Sequence, residues 1–327
     1  MILCNFREGK LRVGKNKKSR LQLPHRLLHM EFGKGADPDR VEWNLPPPPH
    51  PGLESGVDSL CLHVGGTGWG ERAWVGDLYS PGTSASGYLT AYSRVFNCIE
   101  LNTTYYRIPG ELLTASWYTR AEPDFLFCPK VPRSISQDAR LGFGTDLVER
   151  FTGAIRGLNE KLGPCFLQLP PRFHATHWPV LERFLWDWPS DLPLHVEFRH
   201  SDWFQEAEKT SDRLFSMGKG VVMTDVGGRR DVLGLPATTP WVIIRFVGNG
   251  GHTTDRLRLR AWLNTLDQWR KFGIRRVFLF LHQQDARILP VTWRQLAEDI
   301  LGFPEMGNSR KGKIPVLGAN AYQLRLF

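Results

Sequence analysis

The chain contains no stretch of eighteen consecutive apolar residues, which excludes a conventional membrane-spanning helix. Its N-terminus lacks the apolar segment of a secretory signal. Cysteine is scarce and odd in number, five in 327 residues, with no CxxC pair. Cys61, Cys98, Cys128 and Cys165 fall in apolar runs, so buried, reduced thiols in a cytoplasmic protein are expected, not a disulfide framework or a zinc ribbon. No dinucleotide fingerprint follows the first apolar run, because VGGTGWG at 64–70 has the wrong glycine spacing. Negative charge is also in deficit, at 33 Asp and Glu against 42 Lys and Arg. That imbalance is local. Residues 1–29 carry eight basic residues and one acid, leaving the other 298 residues only +2 of the net +9. The bulk of the chain is nearly neutral and does not itself call for nucleic acid.

What is present is a repeating alternation of short apolar runs with helix-period segments. Runs at 60–64, 98–101, 125–131, 165–169, 192–198, 220–224, 241–247 and 277–281 read as eight strands. Between them, Tyr88, Leu89, Tyr92, Val95 and Phe96 share one helical face. Leu147, Phe151, Ala154, Ile155 and Leu158 share another, behind an Asp146 and Glu149 cap. Residues 178–186, 255–272 and 292–301 read as further helices, and 227–240 is the weakest. Eight strands and their helices over about 245 residues fit a single TIM-like (β/α)8 barrel, whose usual size is about 250 residues. An open doubly wound sheet is the alternative. The expected organisation is a basic, then Pro-rich leader over 1–59, with Met30 as the expected native start, a barrel over 60–304, and a flexible tail over 305–327.

The polar residues at the strand ends carry the chemistry, because barrel sites lie at the C-terminal ends of strands. Trp69 follows the first run, and Glu100 and Asn102 end the second, leading into Tyr105 and Arg107. Lys130 ends the third, Gln168 the fourth, Glu197 with Arg199 and His200 the fifth, and Asp225 the sixth. Arg245 lies in the seventh with Asn249 beyond it, and His282, Gln283 and Asp285 end the eighth. Charges inside apolar strands are costly unless paired, so the set reads either as a site or as an ion-pair network plugging the mouth. Catalytic roles are expected for Glu100, Lys130, Glu197, Asp225 and His282. Glu100 and Glu197 suit a general base and acid if their pKa values diverge. Lys130 suits a reactive amine or an electrostatic clamp. Arg199, Arg229 and Arg245 suit an anion, and Trp69 and Tyr105 a ring. Glu100, Glu197, Asp225 and His282 are one candidate set for a divalent metal, although the strand ends show no HxH, HxxxH or HExxH spacing.

Several ordered stretches resemble the family called domain of unknown function 72, also described as YecE-like. They are GTGWGERAWVGDLYSPG, FNCIELNTTYYRIP, FCPKVPRSIS, KLGPCFLQLPPRF, HVEFRHSDWF, TDVGGRRDVL, IRFVGN and FLFLHQQD. The resemblance implies a TIM-like barrel and no established reaction. By fold analogy alone that barrel is similar to endonuclease IV and xylose-isomerase-like enzymes. Gln137 and Gln284 stand where members often carry His, which removes imidazoles that a metal cluster of the endonuclease IV kind would want. The last residues, QLRLF, resemble the peptide by which bacterial proteins bind the DNA sliding clamp, with Gln323, Leu324, Leu326 and Phe327 as its contacts. The sequence therefore supports three readings. One is an enzyme of nucleic-acid metabolism acting on a phosphate-bearing substrate, recruited by the clamp. Another is a sugar or sugar-phosphate isomerase or lyase using Lys130. The third is a non-catalytic ligand-binding adaptor.

Overall fold

A computed structural model describes residues 44–54, 56–227 and 232–307. All eight expected strands form, as β1 (Leu60–Gly65), β2 (Cys98–Leu101), β3 (Leu126–Pro129), β4 (Cys165–Gln168), β5 (Leu194–Glu197), β6 (Gly220–Val226), β7 (Trp241–Val247) and β8 (Arg276–His282). A short β9 (Met306–Gly307) adds to them. Ten helices alternate with the strands among the described residues: α1 (Tyr88–Val95), α2 (Thr103–Tyr106), α3 (Glu111–Arg120), α4 (Arg133–Ser136), α5 (Leu147–Arg156), α6 (Trp178–Asp187), α7 (Asp202–Gln205), α8 (Ala207–Ser216), α9 (Thr253–Trp269) and α10 (Leu289–Ile300).

Every strand pair among the described residues is parallel. Seven strands run in the order β4-β5-β6-β7-β8-β1-β9, and β2 pairs with β3. Further contacts link the two sets. Glu100 N donates to Gly66 O at 3.1 Å. Lys130 pairs with Phe166, where Val131 N donates to Phe166 O at 2.9 Å. This mostly parallel α/β arrangement is consistent with a TIM-like fold. Gly65 permits the close approach of β1 and β2, since a Cβ there would lie 2.0 Å from the Cys98 carbonyl oxygen.

The strands are nearly continuous apolar runs because both faces are covered. Successive side chains alternate between them. One face packs under the helices in the larger core. The other carries Cys98, Cys128, Phe166, Val222, Ile243, Phe278 and Phe280, an apolar floor of its own. Two residues further along several strands, on that same face, stand Glu100, Lys130, Gln168, Thr224, Arg245 and His282.

The structure adds detail to three expectations. Asp146 precedes α5 but its side chain makes no capping bond. Residues 233–240 form no helix, while 228–231, including Arg229, lie outside the described residues. Ordered chain also reaches beyond the 60–304 span. His50 stacks on Phe215 at 4.1 Å and bonds Asp212 at 2.8 Å, and Met306 pairs with Leu60. No described helix is long and apolar enough to cross a membrane. Residues 1–29 and the QLRLF end lie outside the described residues.

Candidate functional site

Six side chains from six strand ends join into one hydrogen-bonded chain. Lys130 Nζ donates to Gln168 Oε1 at 2.9 Å, and Gln168 Nε2 donates to Glu197 Oε2 at 2.8 Å. Arg245 lies at the centre. Its Nη1 donates to Glu197 Oε2 at 2.7 Å, while Nε and Nη2 grip the two oxygens of Glu100 at 2.8 and 2.9 Å. His282 Nε2–H donates to Glu100 Oε2 at 2.8 Å. Asn102 Nδ2 donates to Glu100 Oε1 at 2.9 Å, and Arg199 Nε to Glu197 Oε1 at 3.0 Å. Arg245 is 2% exposed and both glutamates 1% or less. A guanidinium suits this position because its planar fork serves two carboxylates at once.

The electrostatics redistribute the expected roles. Burial by itself would raise both glutamates. Arg245 overrides it at Glu100, with help from His282, and holds that carboxyl well below the usual range. Arg245, Arg199 and Lys130 do the same to Glu197, down to about 2. The two acids are pushed in one direction, not apart, so the geometry does not divide them into a general acid and a general base. Both favour the carboxylate form and pair with arginines. Burial lowers His282, with Glu100 opposing only in part, so its imidazole favours the neutral form.

Lys130 differs from both arginines. It is 7% exposed and ranges over the Tyr105 ring at 4.4 Å. Among the described residues no carboxylate forms an ion pair with it, because Arg245 and Arg199 occupy the neighbouring acids. Its hydrogen-bond acceptor is the neutral Gln168. Burial, then the positive charge of Arg245, pushes the amine down to about 8, against the opposing pull of Glu100 and Glu197.

Other candidates are placed elsewhere. Asp225 faces the helices: Arg258 Nη2 bonds its Oδ1 at 2.6 Å and Trp262 Nε1 its Oδ2 at 2.7 Å. The reason is parity. Thr224, not Asp225, is in register with Arg245, and Asp225 is in register with Phe246. The Thr224 hydroxyl is buried on the site face with no hydrogen-bond partner among the described residues. The four-residue metal set is therefore not assembled. Trp69 packs edge-on against Trp117 and Phe127. Arg107 is exposed. Asn249 is held through its backbone N–H by Asp255, at 2.9 and 2.8 Å. Gln283 donates to Thr292, and Asp285 pairs with Arg287 on the surface. His200 Nδ1–H donates to Asp202 Oδ1 at 2.6 Å, beside His174. His174 and Asp202 were missed in the sequence. The signals were there, in the His174-x-x-His177 spacing and in an acid two residues after His200.

The glutamate shifts set a pH dependence. A lowered carboxyl pKa means the unfolded chain binds more protons than the folded one between the two values. The contribution of Glu197 is therefore complete above its unfolded value of about 4.5 and is lost as pH falls toward about 2. A loss of about 3 kcal/mol is expected from this group, with Glu100 adding in the same direction. Urea unfolding from pH 6 to pH 2 checks this, and a flat midpoint across that range would count against it.

The parallel α/β fold fits the comparison with known proteins. The chain matches the family model described as protein of unknown function DUF72 over residues 63–306, and it belongs to that family. Among its relatives is UPF0759 protein YecE of Escherichia coli K12, 32% identical over 270 residues, covering 75% of this chain and 95% of that protein. UPF0759 protein YunF of Bacillus subtilis 168 is 27% identical over 150 residues, covering 44% and 52%. Of solved structures, a DUF72 family protein of Enterococcus faecalis V583 superposes with a TM-score of 0.60 at 18% identity, covering 73% of this chain and 95% of that one. Another, from Thermotoga maritima MSB8, gives 0.53 at 25% identity, covering 74% and 97%.

Proposed function

We propose that the eight parallel strands close as a (β/α)8 barrel and that the chain is an enzyme whose reactive group is the Lys130 amine. Its substrate class is a small carbonyl compound bearing an anionic group, of the sugar or sugar-phosphate kind. The observation that carries this reading is the environment of Lys130, which is buried, acceptor-bonded to an amide and pushed down to about 8 beside two acids already taken by arginines. A lysine kept for structure alone is normally buried with its own carboxylate. At pH 7 roughly a tenth of such an amine is neutral, about 300 times the fraction of an ordinary lysine.

The neutral amine attacks a carbonyl carbon. The carbonyl oxygen takes up a proton, and loss of water leaves an imine. Its protonated form draws electrons from an adjacent C–H or C–C bond. Neutral His282 is the group on this face suited to accept or return that proton. With both glutamates and both arginines charged, the layer sums to zero, and a protonated Lys130 makes it +1, which favours an anion.

The alternatives have less behind them. The sliding-clamp reading rests on residues 323–327, outside the described residues.

The test is reductive trapping. Protein at pH 7.5 is incubated with glyceraldehyde 3-phosphate and cyanoborohydride, and the adduct is mapped by peptide mass spectrometry. Lys130 is expected to label at least tenfold faster than any other lysine, and labelling should be absent in Lys130→Met while the other lysines are unaffected. Labelling spread evenly over surface lysines would sink the proposal.

A further inference from the structure

The loops that follow β4 and β5 lie side by side because those strands are paired. They bring together three ligating side chains that the charged layer does not use. The His174 and His200 rings are 4.0 Å apart between centroids. His174 Nδ1 stands 3.8 Å from Asp202 Oδ2, and one ligating atom from each of the three residues falls within 4.8 Å of the other two.

We propose that His174, His200 and Asp202 form a binding site for a divalent transition metal of the Zn2+, Co2+ or Ni2+ class. Two imidazoles with a single carboxylate match borderline-soft cations and not Mg2+ or Ca2+, which require oxygen-rich shells. The site is independent of the Lys130 chemistry and shares no residue with it.

The competing account is a clamp between loops. Asp202 Oδ2 accepts from Ala175 N at 3.0 Å, and Oδ1 accepts from His200 Nδ1–H at 2.6 Å. This explains Asp202 and one nitrogen of His200. It does not explain His174, whose side chain is 45% exposed and whose Nδ1 is beyond hydrogen-bond length from the carboxylate. A loop clamp has no use for a second imidazole held against the first. A metal does, and a carboxylate that accepts from one ring nitrogen of a histidine is the usual way of aiming the other nitrogen at a cation. Asp202 can therefore serve as a ligand or as the orienting partner of His200. With two or three protein ligands at an accessible rim, water completes the coordination, leaving an open position.

The rim location matters for function. Gln168 and Glu197 end the two strands that lead into these residues, so a cation there lies at the same end of the strands as the charged layer.

The test is isothermal titration of the full chain with ZnCl2, paired with the visible absorption spectrum of the Co2+ form. Wild-type protein is expected to bind one metal ion through this site at micromolar concentration and to give Co2+ bands of low-symmetry coordination. His174→Ala and His200→Ala should each weaken binding at least tenfold and abolish those bands. His174 is half exposed, so its variant keeps the fold, and an unchanged melting temperature verifies this. Asp202→Asn separates the two roles of the carboxylate, with a larger loss if it is a ligand. Full binding and unchanged Co2+ bands in the His174→Ala, His200→Ala double variant would overturn the proposal. Absence of binding by the wild-type chain would overturn it equally.

Discussion

Arg245→Met is expected to cost at least 3–5 kcal/mol of stability, a large share of the 5–15 kcal/mol that holds a typical domain folded. The reason lies in what remains behind. Arg245 satisfies both oxygens of Glu100 and one of Glu197. Neither acid reaches bulk water, and the floor beneath them is apolar. Without the guanidinium each must be buried charged at high cost or take up a proton. Arg199 and Lys130 still neighbour Glu197, and His282 still bonds Glu100, so the loss is finite. Arg245→Lys should lie between, since it keeps the charge and loses the fork. Adding Glu100→Gln and Glu197→Gln to Arg245→Met should recover much of the loss, because the penalty belongs to unpaired charge and not to missing volume. Urea denaturation of the four proteins measures all of this. A cost under about 1 kcal/mol for Arg245→Met would mean that water reaches the layer and that the network is not what holds the strand ends together. Arg245 also helps to lower the Lys130 pKa. Any folded Arg245 variant without a positive charge should therefore trap carbonyl compounds at Lys130 more slowly at neutral pH.

Arg258→Met is the second large expected effect, about 3–5 kcal/mol by the same physics on the other face of the sheet. Arg258 and Asp225 are both fully buried. Arg258 bonds the Asp225 carboxylate and carbonyl, the Val247 carbonyl at 3.1 Å and Asp255 at 3.3 Å, and its guanidinium lies 4.3 Å from the Phe246 ring. It therefore ties α9 to the ends of β6 and β7. Removing it leaves Asp225 bonded to Trp262 but without its arginine counterion. Asp225→Ala should cost a similar amount, and the double variant much less than the sum, which a double-mutant cycle by thermal or urea unfolding will show. Trapping at Lys130 in folded Asp225→Ala should proceed at the wild-type rate. A selective loss of trapping there, with stability unchanged, would return Asp225 to the site.

These two arginines show how far the chain could be read as text. The eight strands and most of the long helices were legible because burial imposes a period on the residues, and a period survives without coordinates. So was the rule that acids, amides and cations closing apolar runs belong to one rim, and Glu100, Lys130, Gln168, Glu197, Arg245 and His282 do join there. The parity of a fully apolar strand was not legible. In GVVMTDV both faces are covered, no alternation marks the inner one, and only the pairing of Thr224 with Arg245 turns Asp225 toward α9. Nor could spacing say who pairs with whom. Glu100 and Arg245 are 145 residues apart and Glu197 and Arg245 are 48, and pairing is a matter of angle and reach. That choice reverses the chemistry. Two acids that looked like an acid–base couple become fixed counterions, and the lysine they cannot serve becomes the group with an accessible neutral form. His174 and Asp202 make the same point. They lie in separate segments and meet because β4 and β5 are neighbours. Local residue order determined the elements and the kinds of side chain at their ends. Through-space electrostatics and strand register, which no linear pattern encodes, decided what each of those side chains is able to do.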